Sequence, residues 1–157
     1  MKVARVSALV ISLALCAAGC DSGEEEPSAL LPADYAATYT EVRDCRTSGD
    51  HDLHHVRILA DPAALAPYRD RDQPFPVGSL VVKEEFDFGD LDCTGPIVQW
   101  TVMQKLEDGS APDQLDWTWQ KIDTKRRVVT QNDTRCTGCH LVCGASPEGY
   151  EGTCAVP

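Results

Sequence analysis

GSLVVKEEFDF, residues 78–88, combines β-branched and aromatic residues between Gly78 and Gly89, a composition that reads as a β-strand. Side chains alternate across a strand, so Val81, Lys83 and Glu85 share one side while Leu80, Val82, Glu84 and Phe86 share the other. The second set is the main apolar stripe. Lys83 lies apart from it, and composition alone assigns the Lys83 side to a solvated outer face.

Working outward, PIVQWTVMQKL (96–106) and LDWTWQKID (115–123) show the same partial alternation, and turn residues separate the runs. HVRILA (55–60) reads as an earlier strand and RRVVTQ (126–131) as a further one. DPAALAPYRD follows HVRILA, with Asp61 placed to cap a helix and Pro62 suited to its first position. ADYAATYTEVRDC (33–45) sets Tyr35, Tyr39 and Val42 at helical spacing, which predicts an amphipathic helix ended by Gly49. The fold class is therefore α+β, an antiparallel β-sheet packed with a few helices. The chain has no internal repeat, Gly-rich phosphate loop or hydrolase triad.

A length of 157 residues suits one domain. Residues 1–19 form a signal peptide: Lys2 and Arg5 precede VSALVISLALCAA, and no acidic side chain occurs before Asp21. AAGC (17–20) resembles the lipobox of bacterial lipoproteins, which implies cleavage before Cys20 and acylation of its thiol. Ordinary secretion with cleavage nearby is the alternative. Residues 20–29 include the acidic stretch DSGEEEPS, too polar to repay the entropy of folding, and read as a tether to a domain over 30–157. Loss of Lys2 and Arg5 leaves 12 basic against 25 acidic side chains, a formal charge of −13. Such a surface argues against nucleic acid as partner. It also makes a lipid anchor, rather than a basic patch, the means of holding a membrane. The expected location is the bacterial cell envelope, lipid-anchored, on a periplasmic or outer surface.

Among the 8 cysteines, those beyond Cys20 are Cys45, Cys93, Cys136, Cys139, Cys143 and Cys154. CTGCH (136–140) has the spacing of a c-type haem attachment site. Two intervening residues match the thiols of Cys136 and Cys139 to the two porphyrin vinyl groups, and the adjacent His140 reaches the iron. One covalently bound haem c near the C-terminus is the expectation. A zinc knuckle drawing on Cys136, Cys139, His140 or Cys143, and a cap of disulfides alone, are the competing readings. With the haem pair set aside, local closure favours Cys143 with Cys154, and hence Cys45 with Cys93.

A sixth iron ligand has few candidates. Met103 sits inside an alternating apolar run and reads as strand core. His51, His54 and His55 in GDHDLHHV could ligate iron or a second metal, but as a polar lead-in to a strand they read as a solvated edge. The iron is expected to be five-coordinate.

DPAALAPY (61–68), FPVGSLVVKE (75–84), WTVMQK (100–105), DWTWQ (116–120) and CTGCH, taken in order, resemble the cytochrome P460 family. The resemblance implies an α+β haem domain, often dimeric. It also implies a lysine in the strand matching FPVGSLVVKE, here Lys83, joined covalently to the porphyrin, which sets Lys83 against the haem rather than against solvent. The implied activity is oxidation of hydroxylamine or a related small nitrogen species, with electrons passed to an exported redox protein. Binding of nitric oxide or electron transfer without turnover is the alternative. After CTGCH the chain departs from the family, ending in LVCGASPEGYEGTCAVP, so no distal carboxylate carries over to Glu148 or Glu151.

Overall fold

The computed structural model describes residues 26–157. The expected signal segment and Cys20 lie outside the described residues. Six strands, β1 (Thr40–Thr47), β2 (His55–Ala60), β3 (Leu80–Phe86), β4 (Ile97–Lys105), β5 (Trp117–Asp123) and β6 (Val128–Gln131), form one antiparallel sheet in chain order. Helices α1 (Tyr35–Thr38), α2 (Leu65–Asp70) and α3 (Thr134–Val142) lie outside it.

The strands read from composition are all present. The helix expected over 33–45 is not: α1 is a single turn, and the chain is already extended at Thr40. Thr40 and Val42 are β-branched, and pairing of β1 with β2 satisfies the backbone of this stretch better than an isolated amphipathic turn could. Asp61 Oδ1 accepts from Ala64 N at 2.6 Å, but that bond closes a turn: α2 begins only at Leu65 with Ala64 as its N-cap, so Asp61 does not cap the helix and Pro62 is not its first residue.

Register aligns side chains into rows. Lys83 pairs with Ile58 on one side and Thr101 on the other, and Thr101 pairs with Lys121. Next to this row run Val81, Met103 and Trp119, and on its other flank Glu85 and Gln99. One face thus changes from apolar to polar across three rows.

The opposite face carries Leu80, Val82, Val102 and Ile122, packed against Leu31 and Tyr35 of the N-terminal segment. Both Val82 and Ile122 are fully buried, each contributing roughly 1.5–3 kcal/mol by removal from water. Glu84 is buried there too. Its Oε1 accepts from the Tyr35 hydroxyl at 2.7 Å, Arg57 pairs with its Oε2 at 2.6 Å, and Trp100 Nε1 donates to the Tyr35 oxygen at 2.8 Å. Burial, then the bond to Glu84, raises the Tyr35 phenol to about 12, so it remains a donor.

Two disulfides close the fold. Cys45–Cys93 ties β1 to the β3–β4 connection, and Cys143–Cys154 ties the end of α3 to the C-terminal segment.

Tyr35→Phe removes a hydrogen bond to a buried carboxylate and leaves the Trp100 indole without an acceptor. The expected loss is about 1.5–3 kcal/mol of unfolding free energy, read from the shift in denaturant midpoint at unchanged slope.

Candidate functional site

Asp133 starts α3, its side chain accepting from Arg135 N at 2.8 Å. The helix then places Cys136, Cys139 and His140 within one turn, at spacings that share a face. That face and the Lys83 face of the sheet enclose a cavity of about 600 Å³, within the roughly 300–1,000 Å³ typical of pockets that hold organic ligands. Val81, Met103 and Trp119 supply an apolar wall; Lys83, Glu85 and Thr101 supply a polar one.

Cys136 and Cys139 are free thiols, while the four remaining described cysteines are paired as local closure suggested. Burial, then the Asp133 charge, raises the Cys136 pKa and keeps it a thiol. The structure therefore does not contain the cap made of disulfides alone. The zinc reading loses Cys143 to its bridge, and among the described residues no group of three metal-ligating side chains is gathered.

His140 Nδ1 lies 2.5 Å from the Gly152 carbonyl oxygen. A carbonyl only accepts, so Nδ1 carries the proton. Burial, with the Lys83 charge adding to it, lowers the His140 pKa to about 4, and the ring is neutral near pH 7. Its Nε2 therefore presents a lone pair. The ring stands 5.8 Å from that of Trp119, whose buried Nε1 has no hydrogen-bond partner among the described residues. A free thiol pair, a neutral imidazole of the metal-binding tautomer and an apolar wall together fit a thioether-linked haem.

Lys83 faces this cavity and not the outer solvent that composition favoured. Its Nζ is 2.5 Å from His51 Nε2. Glu85 follows two residues on and is 0 % exposed. It accepts from His51 Nδ1 at 3.1 Å, His54 Nδ1 at 3.0 Å, Gln99 Nε2 at 2.6 Å and Thr101 Oγ1 at 3.1 Å. Burial opposes its ionisation, but the bonds from His51, His54 and Gln99 outweigh that and hold it near 2. A carboxylate only accepts, so His51 Nδ1 is protonated and, in the neutral ring, Nε2 accepts from the Lys83 amine. Burial lowers the Lys83 pKa to about 8, against the opposing charge of Glu85.

His51 and His54 are thus not at a solvated edge, and His55 is buried in β2. The donation of His51 and His54 to Glu85, the acceptance of the Lys83 amine by His51 and the part played by Gly152 were not foreseen from composition. The available signal was that Glu85 shares a strand side with Lys83. Met103 is strand core, as read. Glu148 is exposed, and the Glu151 carboxylate accepts from Phe75 N at 3.2 Å.

The folded Glu85 pKa lies below its unfolded value of 4.5. Its stabilisation is therefore complete above about pH 4.5 and is lost as pH falls towards 2, by on the order of 3 kcal/mol. Unfolding free energy measured across that window should fall more steeply in the wild type than in Glu85→Gln, which cannot ionise.

A search of curated proteins finds no match to the chain. The sequence model of the family described as Cytochrome P460 matches residues 32–146, which include every strand of the sheet and the CTGCH helix. The chain belongs to the cytochrome P460 family, and that membership implies a haem cofactor.

Proposed function

We propose that this protein is an exported monohaem c-type cytochrome that oxidises hydroxylamine or a closely related small nitrogen species and passes the electrons to an exported redox protein. The supporting observation is that the CTGCH face of α3 and Lys83 of β3 line opposite walls of one cavity. Export would use residues 1–19, and acylation of Cys20 would anchor the domain to the cell envelope.

Cys136 and Cys139 would hold the haem through thioethers, His140 Nε2 would ligate its iron, and Lys83 would supply a third covalent link to the macrocycle. When bound, the group supplies an iron centre able to accept electrons from a small nitrogen ligand. The chain's own residues do the rest. The Gly152 carbonyl holds the His140 ring in one tautomer and orientation. His51 Nε2 accepts the Lys83 N–H and, backed by the Glu85 carboxylate, can take a proton from that amine, leaving a lone pair facing the cavity. Val81, Met103 and Trp119 exclude water from the apolar wall. Thr101 and Gln99 spend their donors on Glu85, which keeps that carboxylate from turning towards Lys83.

Two measurements test this reading on protein matured in a host with a haem-attachment pathway. Proteolysis and mass spectrometry should find a Lys83 fragment joined to the CTGCH fragment; a haem peptide without it overturns the third link. Hydroxylamine-dependent reduction of an artificial acceptor should fall at least about tenfold in Lys83→Ala with haem retained, by analogy with the loss of groups that tune a metal centre. A haem-loaded wild type without turnover would instead be a ligand-binding module, and a colourless wild type would overturn the haem assignment.

A further inference from the structure

Helix α3 meets the rest of the domain through partly buried side chains, Cys136 against the core and His140 beside Trp119. None of its residues is fully buried, and Cys143, immediately after its last turn, is the nearest that is. The C-terminal strap, residues 149–155, adds a second tie between α3 and the domain. On the side away from α3, Trp117 Nε1 of β5 donates to the Glu151 carbonyl at 2.8 Å, the Tyr68 hydroxyl of α2 donates to the Ala155 carbonyl at 3.2 Å, and the Tyr150 hydroxyl donates to the Gln73 carbonyl after α2 at 2.6 Å. On the helix side, Gly152 N donates to the Cys143 carbonyl at 3.0 Å, and Cys143 is bonded to Cys154.

The strap lies against Cys143 so closely that a Cβ at Gly149 would fall 2.5 Å from the Cys143 Cβ. Gly152 adopts φ +86°, a conformation that glycine takes without strain and that turns its carbonyl onto His140 Nδ1. The hydrogen-bond acceptor of the imidazole thus sits between two fixed points: the sheet through Trp117, and the helix through the disulfide. Cys154 also lines the cavity, whereas Cys45 and Cys93 do not.

We propose that the Cys143–Cys154 bridge is a positioning device for the proximal imidazole: it fastens the Gly152 carbonyl to His140 Nδ1–H and thereby sets how strongly the ring donates to iron. The inference rests on the reading of His140 as the iron ligand. A hydrogen bond from Nδ1 makes the ring a stronger base, which favours the oxidised metal. Opening the bridge leaves the strap joined to the end of α3 by backbone hydrogen bonds alone, among them Gly152 N to the Cys143 carbonyl at 3.0 Å and Glu151 N to the Gly144 carbonyl at 2.9 Å; that looser tie weakens the bond to His140 and favours the reduced metal. Cys143, Gly152 and Cys154 act through His140 and touch no substrate.

The test compares two double variants of the haem-loaded chain, Cys143→Ser with Cys154→Ser and Cys45→Ser with Cys93→Ser. Each loses one bridge. The readouts are the iron–imidazole stretching band of the ferrous protein by resonance Raman and the midpoint potential. The first variant should move the band to lower frequency and shift the electron-transfer equilibrium about tenfold towards reduction, about 59 mV for one electron. The second should leave both unchanged. Wild-type values in the first variant, or equal shifts in both, overturn the proposal.

If the first variant does not fold, wild-type protein titrated with a dithiol decides. The band must shift in step with alkylation of Cys143 and Cys154, since thioethers survive the reagent; a band that stays fixed while those thiols appear overturns the proposal. A wild type with bound haem but no imidazole band overturns the assignment of His140, and this inference with it, before any variant is made.

Discussion

The arrangement around the cavity depends on a carboxylate buried at the centre of the sheet. Glu85 is shielded from water on β3, and it is tolerable there only because His51, His54, Gln99 and Thr101 all donate to it. Those donors come from the β1–β2 connection and from β4, so one side chain orients two segments flanking its own strand. The consequence passes outward by elimination of protons. A saturated carboxylate fixes the tautomer of His51, and that tautomer turns an acceptor towards Lys83. The lysine is held by a chain of assignments that begins at a residue it does not touch.

A sheet buried on both faces explains why β3 tolerates so many charges. Glu84 and Glu85 point in opposite directions, and each meets its own partners: Tyr35 and Arg57 on one side, the histidines on the other. Leaving either carboxylate unpartnered would cost several kcal/mol. The N-terminal segment over residues 29–39 and the C-terminal strap therefore have matching tasks. Each closes one face of the sheet, and each brings polar groups to a site where strands alone would leave them unmatched.

Much of this was legible in the chain itself. Strands β2 to β6 carry β-branched and aromatic residues between turn residues, and their pairing in chain order needs only short connections. CTGCH and the two bridges follow from spacing, because thiols three apart and eleven apart face different closure costs. Three features were hidden for physical reasons. Residues 33–45 hold both helical spacing and β-branched content, and only the free edge of β2 decides between them. The polarity of GDHDLHHV describes a solvated turn until Glu85, more than thirty positions away, supplies an acceptor. Lys83 looks solvent-facing because alternation identifies sides of a strand but not what covers them. Family resemblance supplied that cover, and the position of α3 agrees with it.

The two walls of the cavity differ in how they are held, and that difference bears on their chemistry. Lys83 and Glu85 sit on a central strand, where register and burial leave little freedom, and Glu85 in turn fixes the His51 ring that accepts from Lys83. The cysteines and His140 sit on a helix with no fully buried side chain, joined to the domain also through a strap and a bridge. The proposed thioether attachment would need the helix side to admit a large planar group, and thiols that are not fully buried allow this. Orientation of an amine and an imidazole needs the reverse, fixed donors and acceptors. The strap reconciles the two: its backbone carbonyl reaches His140 from a segment that Trp117 of β5 also holds, so the proposed iron ligand is referenced to the sheet that carries Lys83.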